Sequence, residues 1–154
     1  MKDNNMISKK IMPPTFFYIY IMLAVALHFV VPIKQLIVGP YRLLGVIPIL
    51  FGLWLNLWAD QLFKKLKTTV KPFEKSTTFI DEGPFRFTRN PMYVGMTAAL
   101  VGVAIILGSV LVFLIPILFA VHMHRAYIVH EETALAEIFG RGFTDYCGRV
   151  RRWL

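Results

Sequence analysis

The fold is decided by residues 93–129, which read YVGMTAALVGVAIILGSVLVFLIPILFAVHMHRAYIV. As a single helix this run would reach about 54 Å at 1.5 Å per residue. That length is far beyond the hydrocarbon core of a bilayer, which about 20 residues cross. We therefore predict that the run breaks at Gly108-Ser109 and forms two transmembrane helices in a tight hairpin.

The rest of the chain is rich in apolar residues as well. Of its 154 residues 56% are hydrophobic, 13 are phenylalanine, and the mean hydropathy is +0.59. A soluble domain of this length cannot bury so much apolar surface. Two further runs of spanning length lie at residues 15–33 and 43–63, and the first lacks the cleavage pattern of a signal peptide. The sequence predicts an all-α, polytopic membrane protein with four transmembrane helices in a single domain, residues 1–154.

Basic residues indicate which side of the membrane each loop faces. Of the 17 lysines and arginines, three precede the first span, seven lie between the second and third, and five lie at or after the end of the fourth. Only Lys34 and Arg42 are left for the first loop. Because positively charged loops stay in the cytoplasm, both termini and the long middle loop are predicted to be cytoplasmic. The net charge of +8 is thus mostly a topology signal, and no basic stripe interleaved with aromatic residues indicates a nucleic-acid partner.

The histidines and the single cysteine do not predict a metal site. His122 and His124 lie two residues apart, so on a helix their side chains point about 200° away from each other. Cys147 is the only cysteine, which leaves no internal disulfide and no compact set of metal ligands. We therefore predict that the protein has no metal site.

A polar loop precedes the hairpin. Residues 83–95 read GPFRFTRNPMYVG, and Glu131 and Glu132 follow about forty residues later at the end of the apolar run. Glycine and proline fix the backbone of the loop, while its arginines and asparagine supply hydrogen-bond donors. Polar groups beside a carboxylate pair at a helix end predict a small-molecule site at the bilayer surface. The alternative is that these residues have a structural role only. The loop would then be a turn that starts a helix at Pro91, and the charged residues would face solvent at the helix end.

The two glutamates are predicted to have different roles, because neighbouring residues on a helix lie about 100° apart. Tyr127 lies one turn before Glu131, and an aromatic ring beside a carboxylate suits a cationic ligand. Arg125 and Glu132 share another face and are predicted to form an internal ion pair.

Three blocks of residues carry a resemblance to a known family. They are Gly83-Pro84-Phe85-x-x-x-Arg89-Asn90-Pro91-x-Tyr93-x-Gly95, then Glu131-Glu132-x-x-Leu135-x-x-x-Phe139-Gly140, then Phe143-x-x-Tyr146 with Val150-x-Arg152. Together they resemble the isoprenylcysteine carboxyl methyltransferases, a group that includes the phospholipid methyltransferases. The resemblance covers about residues 68–152, which is over half of the chain.

The resemblance implies a membrane methyltransferase that uses S-adenosylmethionine and has a cofactor-binding core at about residues 68–152. The donor would lie between the cytoplasmic loop and the ends of the last two helices, and a lipidic or amphipathic acceptor would enter from the bilayer. By position, the residues implied in cofactor contact are Thr77, Thr78, Phe79, Ile80, Phe85, Asn90, Pro91, Met92, Tyr93 and Glu131. Such a site requires Tyr93 and Glu131 to face each other.

Two departures from the pattern of the prenylcysteine enzymes concern the acceptor. Asn90 stands where those enzymes usually have histidine, which is similar to bacterial and phospholipid-type members and predicts a bacterial inner membrane. Tyr127 stands where they place a substrate-contacting arginine, and Arg125 lies two residues earlier. Tyr127 and Arg125 are therefore the predicted substrate-binding residues.

The sequence leaves the chemical nature of the acceptor open. Methyl transfer is an in-line displacement, so the protein chiefly positions the two reactants and excludes water. A carboxylate acceptor needs only to be oriented by Arg89 or Arg125. An amine acceptor must lose a proton, for which Glu132, His124 and His130 are the candidate bases. Arg89, Arg125 and Glu132 are the predicted catalytic residues.

Two other functions are compatible with the same motifs. Membrane sterol reductases share a related Asn-Pro-x-Tyr core and bind NADPH, although this chain lacks the many extra helices that they carry. A non-catalytic helical membrane protein could use the loop only as a folded cap. Binding of NADPH in place of S-adenosylmethionine would indicate the first alternative. The second predicts that Asn90, Tyr93 and Glu131 can be replaced by alanine without loss of function.

Overall fold

The computed structural model describes residues 12–31, 34–66 and 80–154. Within these ranges all regular structure is helical, apart from one isolated bridge between Gln35 and Ser109, so the all-α prediction is confirmed. The α-helices are α1 (Pro13–Val30), α2 (Val46–Lys65), α3 (Pro91–Leu107), α4 (Leu114–Met123), α5 (Val129–Phe139) and α6 (Arg141–Arg149). Short 3₁₀ helices lie at Gly39–Gly45, Gly83–Arg86 and Val110–Phe113, and the π-helical turn His124–Ile128 joins α4 to α5.

Three helical stretches of the described chain are long and apolar enough to cross a membrane. They are Pro13–Val30, Gly39–Lys65 and Val110–Phe139. These stretches match three of the predicted spans and support a membrane protein. The helix α3 is also apolar, but its 17 residues reach only about 25 Å, slightly less than the hydrocarbon core of about 30 Å.

The predicted break in the long apolar run lies where the sequence analysis put it. Gly108 follows α3 with a φ of 73°, the left-handed conformation that ends many helices and favours glycine. Its carbonyl accepts the backbone amide of Leu36 at 2.7 Å, and a Cβ atom on Gly108 would collide with the carbonyl of Ile37. Next to it, the hydroxyl of Ser109 bonds to Nδ1 of His28 at 2.6 Å. The loop after α1 therefore holds this break in place.

Glycines bring α2 and α3 into backbone contact. A Cβ atom on Gly45 would collide with the carbonyl of Gly102, and one on Gly102 would collide with the carbonyl of Gly45. Further along the same interface, Gly52 meets the carbonyl of Gly95 in the same way. Small residues allow this approach in membranes, where van der Waals packing drives helix association. The interface fixes α3, and with it the polar residues at the start of α3.

Replacing Gly102 with alanine is expected to destabilise the protein. The added methyl group would force α3 away from Gly45, at a cost of about 1–3 kcal/mol for overpacking. The gain in helix propensity, about 1 kcal/mol, offsets only part of that cost. Gly148→Ala is the matched control, because a Cβ atom there meets nothing within 4 Å. Thermal denaturation in detergent should show a lower midpoint for Gly102→Ala only; equal midpoints would contradict the packing argument.

The core lies between α1, α3 and the long helix that contains α4. Its largest fully buried side chains include Leu100, Phe119, Met123 and Ile128. On α1, the ring of Tyr20 packs edge-on against Phe119, and its hydroxyl bonds to Nδ1 of His122 at 3.1 Å. Large apolar side chains on the outer faces of these helices are exposed, as expected where helices face lipid.

Candidate functional site

The two adjacent glutamates at the start of α5 have separate sets of partners. Glu131 bonds to Tyr93 on α3, whereas Glu132 bonds to residues at the start of α3 and at the end of the chain. This is the division expected from the angle of about 100° between neighbouring helical residues. The two carboxylates therefore have different surroundings, and their different roles stay a prediction.

The carboxylate of Glu132 is the centre of a buried ionic cluster. Its Oε1 accepts from Nε of Arg89 at 3.1 Å and from Nδ2 of Asn90 at 3.3 Å. Its Oε2 accepts from Nε of Arg152 at 2.9 Å and from Nη2 of Arg89 at 3.3 Å. The exposed fraction is 11% for the Glu132 and Arg89 side chains, against 38% for Arg152. The hydrogen bond to Glu132 raises the pKa of Arg152, which keeps this guanidinium charged.

Arg89 connects this carboxylate to the end of α6. Its Nη1 donates to the carbonyl of Cys147 at 3.0 Å and to that of Val150 at 3.1 Å. Its backbone amide donates to the carbonyl of Arg151 at 2.9 Å. With the two bonds to Glu132, the guanidinium makes four hydrogen bonds, and it has five N–H groups in all. Little of its donor capacity is left for a substrate.

Thr88 and Asn90 hold the last residues of the chain from the other side. Oγ1 of Thr88 donates to the carbonyl of Arg152 at 3.2 Å, and Nδ2 of Asn90 donates to the same carbonyl at 3.0 Å. Both residues are buried, with 1% and 8% exposure. Because the Asn90 amide also donates to Glu132, both of its N–H groups are used within the protein. Only its carbonyl oxygen remains for a ligand.

Tyr93 and Glu131 face each other, as the sequence analysis required. The hydroxyl of Tyr93 donates to Oε1 of Glu131 at 2.8 Å. The ring of Tyr127, 4% exposed, lies in the same core as that of Tyr93, and Glu131 also interacts electrostatically with it. The predicted neighbourhood of a carboxylate and an aromatic ring on this face is therefore present, with two tyrosines in it.

The predicted ion pair between Arg125 and Glu132 is wrong. Arg125 is exposed, and among the described residues Glu132 pairs with Arg89 and Arg152. The cause is local, because the chain forms a π-helical turn at His124–Ile128. A π turn holds more residues than an α turn, so an α-helical count across it assigns the wrong neighbours.

The candidate bases differ in their surroundings. Glu132 is held between two guanidinium groups, and His130 is exposed. His124 lies in the π-helical turn, and its buried Nδ1 has no hydrogen-bond partner among the described residues. In the part of the chain that the structure describes, no three histidine, cysteine or acidic side chains are grouped so as to hold a metal ion.

The apolar residues predicted to contact the cofactor pack against the end of α2. Ile80 and Phe85 form a small buried cluster with Ala59, and Met92 borders it. The ring of Phe85 meets that of Phe63 edge-on, with 5.6 Å between the centroids. These residues form a packed wall, and their contact with a cofactor stays a prediction.

The remaining predicted cofactor residues divide into two groups. Pro91 is buried as the first residue of α3, where the missing N–H of a proline has no cost. Thr77, Thr78 and Phe79 lie outside the described residues. Nothing in the structure bears on those three positions.

A cavity of about 350 Å³ lies beside the ionic cluster. It is lined by Asp81, Arg86, Tyr146, Arg149 and Val150. The hydroxyl of Tyr146 donates to the carbonyl of Phe85 at 2.8 Å, and burial raises the pKa of Tyr146, so this donor stays protonated. The cavity therefore opens between the turn Gly83–Arg86 and α6.

Sequence reasoning gave no role to Thr88, Tyr146 and Arg152, although the last two belong to the quoted motif blocks. Each bonds across more than 50 residues of chain, as from Thr88 to Arg152 or from Tyr146 to Phe85. Periodicity within one helix carries no information on such contacts. The signal available was that Phe143-x-x-Tyr146 and Val150-x-Arg152 stand at fixed places in the resemblance.

Taken together, the helices define a membrane protein whose polar side chains are organised where the helices end, around the motif residues. The chain belongs to the phospholipid methyltransferase family, whose family model matches residues 40–142. This match confirms the suspected family and makes the protein a methyltransferase of the membrane. No curated protein matches the chain.

Proposed function

We propose that this protein transfers a methyl group from S-adenosylmethionine to a lipidic or amphipathic acceptor at the cytoplasmic face of a membrane. Residues 1–154 act as one domain, with a cofactor-binding core at about residues 68–152. The family supports methyl transfer. The observation that carries the choice of donor is the contact of 2.8 Å between the Tyr93 hydroxyl and the Glu131 carboxylate.

In this proposal the chain crosses the membrane four times, and α3 forms a hairpin with the helical stretch Val110–Phe139. The contact between α3 and α4 supports it. At 1.5 Å per residue the 30 residues of Val110–Phe139 reach about 45 Å, so the last turns with Glu131 extend beyond the hydrocarbon core. The basic residues beside those turns favour cytoplasmic termini, in a bacterial inner membrane.

The surroundings of Glu131 suit a cation. S-adenosylmethionine supplies a methyl group on a positively charged sulfonium, next to an ammonium group. Glu131 offers a carboxylate oriented by the hydroxyl of Tyr93, and the rings of Tyr93 and Tyr127 add favourable electrostatics for positive charge. Both tyrosines are buried, which keeps water away from this side of the carboxylate. The residues present therefore fit the proposed donor.

Arg89 and Glu132 act through other residues in this proposal. Their side chains bond to each other and to the end of the chain, and they hold Asn90 and the start of α5 in place. They are positioning residues, because their polar atoms are largely committed within the protein. Arg125, exposed two residues before Tyr127, remains a candidate for contact with the acceptor together with Tyr127.

The geometry favours an amine over a carboxylate as the acceptor. The guanidinium of Arg89 has only one N–H group left, and the side chain of Arg125 is exposed. A carboxylate acceptor would meet the negative charge of Glu131 with no cation committed to it. An amine acceptor must first lose a proton; when the neutral amine then takes the methyl group it becomes a methylated ammonium, and the negative charge of Glu131 stabilises the cation that forms.

Purified protein in vesicles, incubated with S-adenosylmethionine labelled on the methyl group, is expected to transfer label to a phospholipid with a primary amine in its headgroup. Direct titration should show binding of S-adenosylmethionine and none of NADPH, because the proposed site is built for a cation. A fatty acid offered in the same vesicles should stay unlabelled.

Three outcomes contradict the proposal. Binding of NADPH in place of S-adenosylmethionine would make the protein a reductase. Binding of neither nucleotide would support a non-catalytic membrane protein. Labelling of the fatty acid, with the amine lipid unlabelled, would show that the acceptor is a carboxylate.

A further inference from the structure

The cavity between the turn Gly83–Arg86 and α6 is lined by described residues other than those of the proposed donor site. Of the predicted cofactor residues that the structure describes, none is among its lining residues. Its volume of about 350 Å³ falls within the range of small-molecule sites. It is therefore large enough to hold a small ligand.

The walls of this cavity are held in place by hydrogen bonds. Tyr146 is 3% exposed and is bonded to the carbonyl of Phe85, which lies in the turn on the opposite wall. The carbonyl of Val150 accepts from Arg89, itself fixed by Glu132. A preformed cavity binds with less loss of conformational entropy than one that must be ordered by its ligand.

The charges of the lining favour an anion. Arg86 and Arg149 are exposed, and neither makes an ion pair within the described part of the chain. Among the described lining residues Asp81 is the one carboxylate against two arginines, so their summed charge is positive. The planar guanidinium group matches the oxygens of a phosphate and can bind two of them at once.

The residue next to Arg86 indicates the depth of the cavity relative to a bilayer. Phe87 is 69% exposed at the end of the turn that carries Arg86. An exposed phenylalanine beside membrane-spanning helices is favoured where its ring can be buried against the acyl chains. Arg86 then lies at the level of the lipid phosphates, where basic side chains attract anionic lipids.

We propose that the cavity lined by Arg86 and Arg149 binds the phosphate of an anionic phospholipid. Arg86 and Arg149 hold the phosphate oxygens, Tyr146 forms the rigid floor, and Asp81 opposes the negative ligand. This binding does not depend on the proposed methyl transfer, and it involves no covalent step.

The test titrates the purified protein, in an uncharged detergent, with short-chain phosphatidylglycerol. The variants Arg86→Gln and Arg149→Gln are each expected to raise the dissociation constant about ten-fold, the loss of one charge-assisted contact. Arg141→Gln is the matched control, since Arg141 is an exposed arginine on α6 that does not line the cavity. Asp81→Asn is expected to tighten binding, because it removes the one negative charge of the lining.

The comparison ligands separate the possible sources of the bound anion. Short-chain phosphatidylcholine, whose headgroup has no net charge, is expected to bind much more weakly, and inorganic phosphate and S-adenosylmethionine should not displace phosphatidylglycerol at similar concentrations. Equal weakening by Arg141→Gln would reduce the effect to general surface charge and overturn the proposal. Weaker binding by Asp81→Asn would indicate a zwitterionic ligand and would also overturn the proposal. Displacement of phosphatidylglycerol by phosphate or by S-adenosylmethionine would assign the cavity to that compound, which overturns the proposal as well.

Discussion

Replacing Glu132 with alanine is expected to lower the free energy of unfolding by about 3–5 kcal/mol, the usual cost of removing one partner from a buried ion pair. The variant would leave Arg89 and Arg152 close together without the carboxylate between them. Arg89 is only 11% exposed, so water cannot replace the lost partner fully. Circular dichroism during denaturant titration in detergent micelles measures the change.

The control for this prediction lies on the same helix. Glu137 is exposed on α5, and within the described residues it makes no ion pair, so Glu137→Ala should change stability by less than about 0.5 kcal/mol. Arg89→Ala combined with Glu132→Ala should cost less than the sum of the two single variants, because they share one interaction. Equal unfolding curves for Glu132→Ala and Glu137→Ala would falsify the structural role of the cluster.

Much of the fold follows from apolar run lengths alone. The predicted spans at residues 15–33 and 43–63 correspond to Pro13–Val30 and to Gly39–Lys65, with ends that differ by a few residues. The break at Gly108 follows because no bilayer accommodates the whole run as one helix. These inferences succeed because an unpaired backbone N–H or C=O group is costly in lipid. This cost outweighs the helix propensities of the individual residues.

The ends of the helices and their distortions cannot be predicted from the lengths of the apolar runs. The last long helix continues to Phe139, ten residues beyond the predicted end at residue 129, because the polar residues after that point are stabilised by partners outside the helix. The π-helical turn His124–Ile128 has no signature in the sequence, and it changes which side chains share a face. The wrong pairing of Arg125 with Glu132 came from this turn.

For the candidate site, the identity of the residues was more predictable than their partners. Residue type and motif spacing select Glu131, Glu132, Arg89 and Tyr93, and all four lie either in the ionic cluster or in the contact between Tyr93 and Glu131. Sequence pattern does not identify Arg152 as a partner of Glu132, because the two residues are 20 positions apart and meet by way of the turn at Gly140. A contact of this kind depends on how α5 and α6 pack, which a single sequence does not encode in a readable pattern.

The ionic cluster around Glu132 also supports the contact between Tyr93 and Glu131. Glu131 and Glu132 are adjacent in the chain, so the ionic cluster that fixes Glu132 also fixes the backbone from which Glu131 reaches Tyr93. Precise placement of a charged group matters in methyl transfer, because the protein contributes mainly by positioning the reactants. Loss of the cluster is therefore expected to reduce activity even where the protein remains folded.

Replacing Glu131 with glutamine is expected to reduce kcat/KM for S-adenosylmethionine about ten- to a hundred-fold, which corresponds to about 1.4–2.7 kcal/mol. The substitution removes the negative charge that faces the proposed cation. It retains an oxygen that can accept the hydrogen bond from Tyr93, so the fold should be preserved. Initial rates of label transfer, measured over a range of donor concentrations, give KM and kcat separately.

The variant Tyr93→Phe separates the effect of the charge of Glu131 from the effect of its orientation. It removes the hydroxyl that holds Glu131 at 2.8 Å but leaves the carboxylate and the ring. Its effect should therefore be smaller than that of Glu131→Gln, and Glu137→Gln, on the exposed face of the same helix, should have none. If the donor binds Glu131 as proposed, the loss in Glu131→Gln appears mainly in KM and in direct titration of the donor. Unchanged donor affinity in Glu131→Gln, with the rate of transfer also unchanged, would remove Glu131 from the binding site and leave the tyrosine–carboxylate contact a structural one.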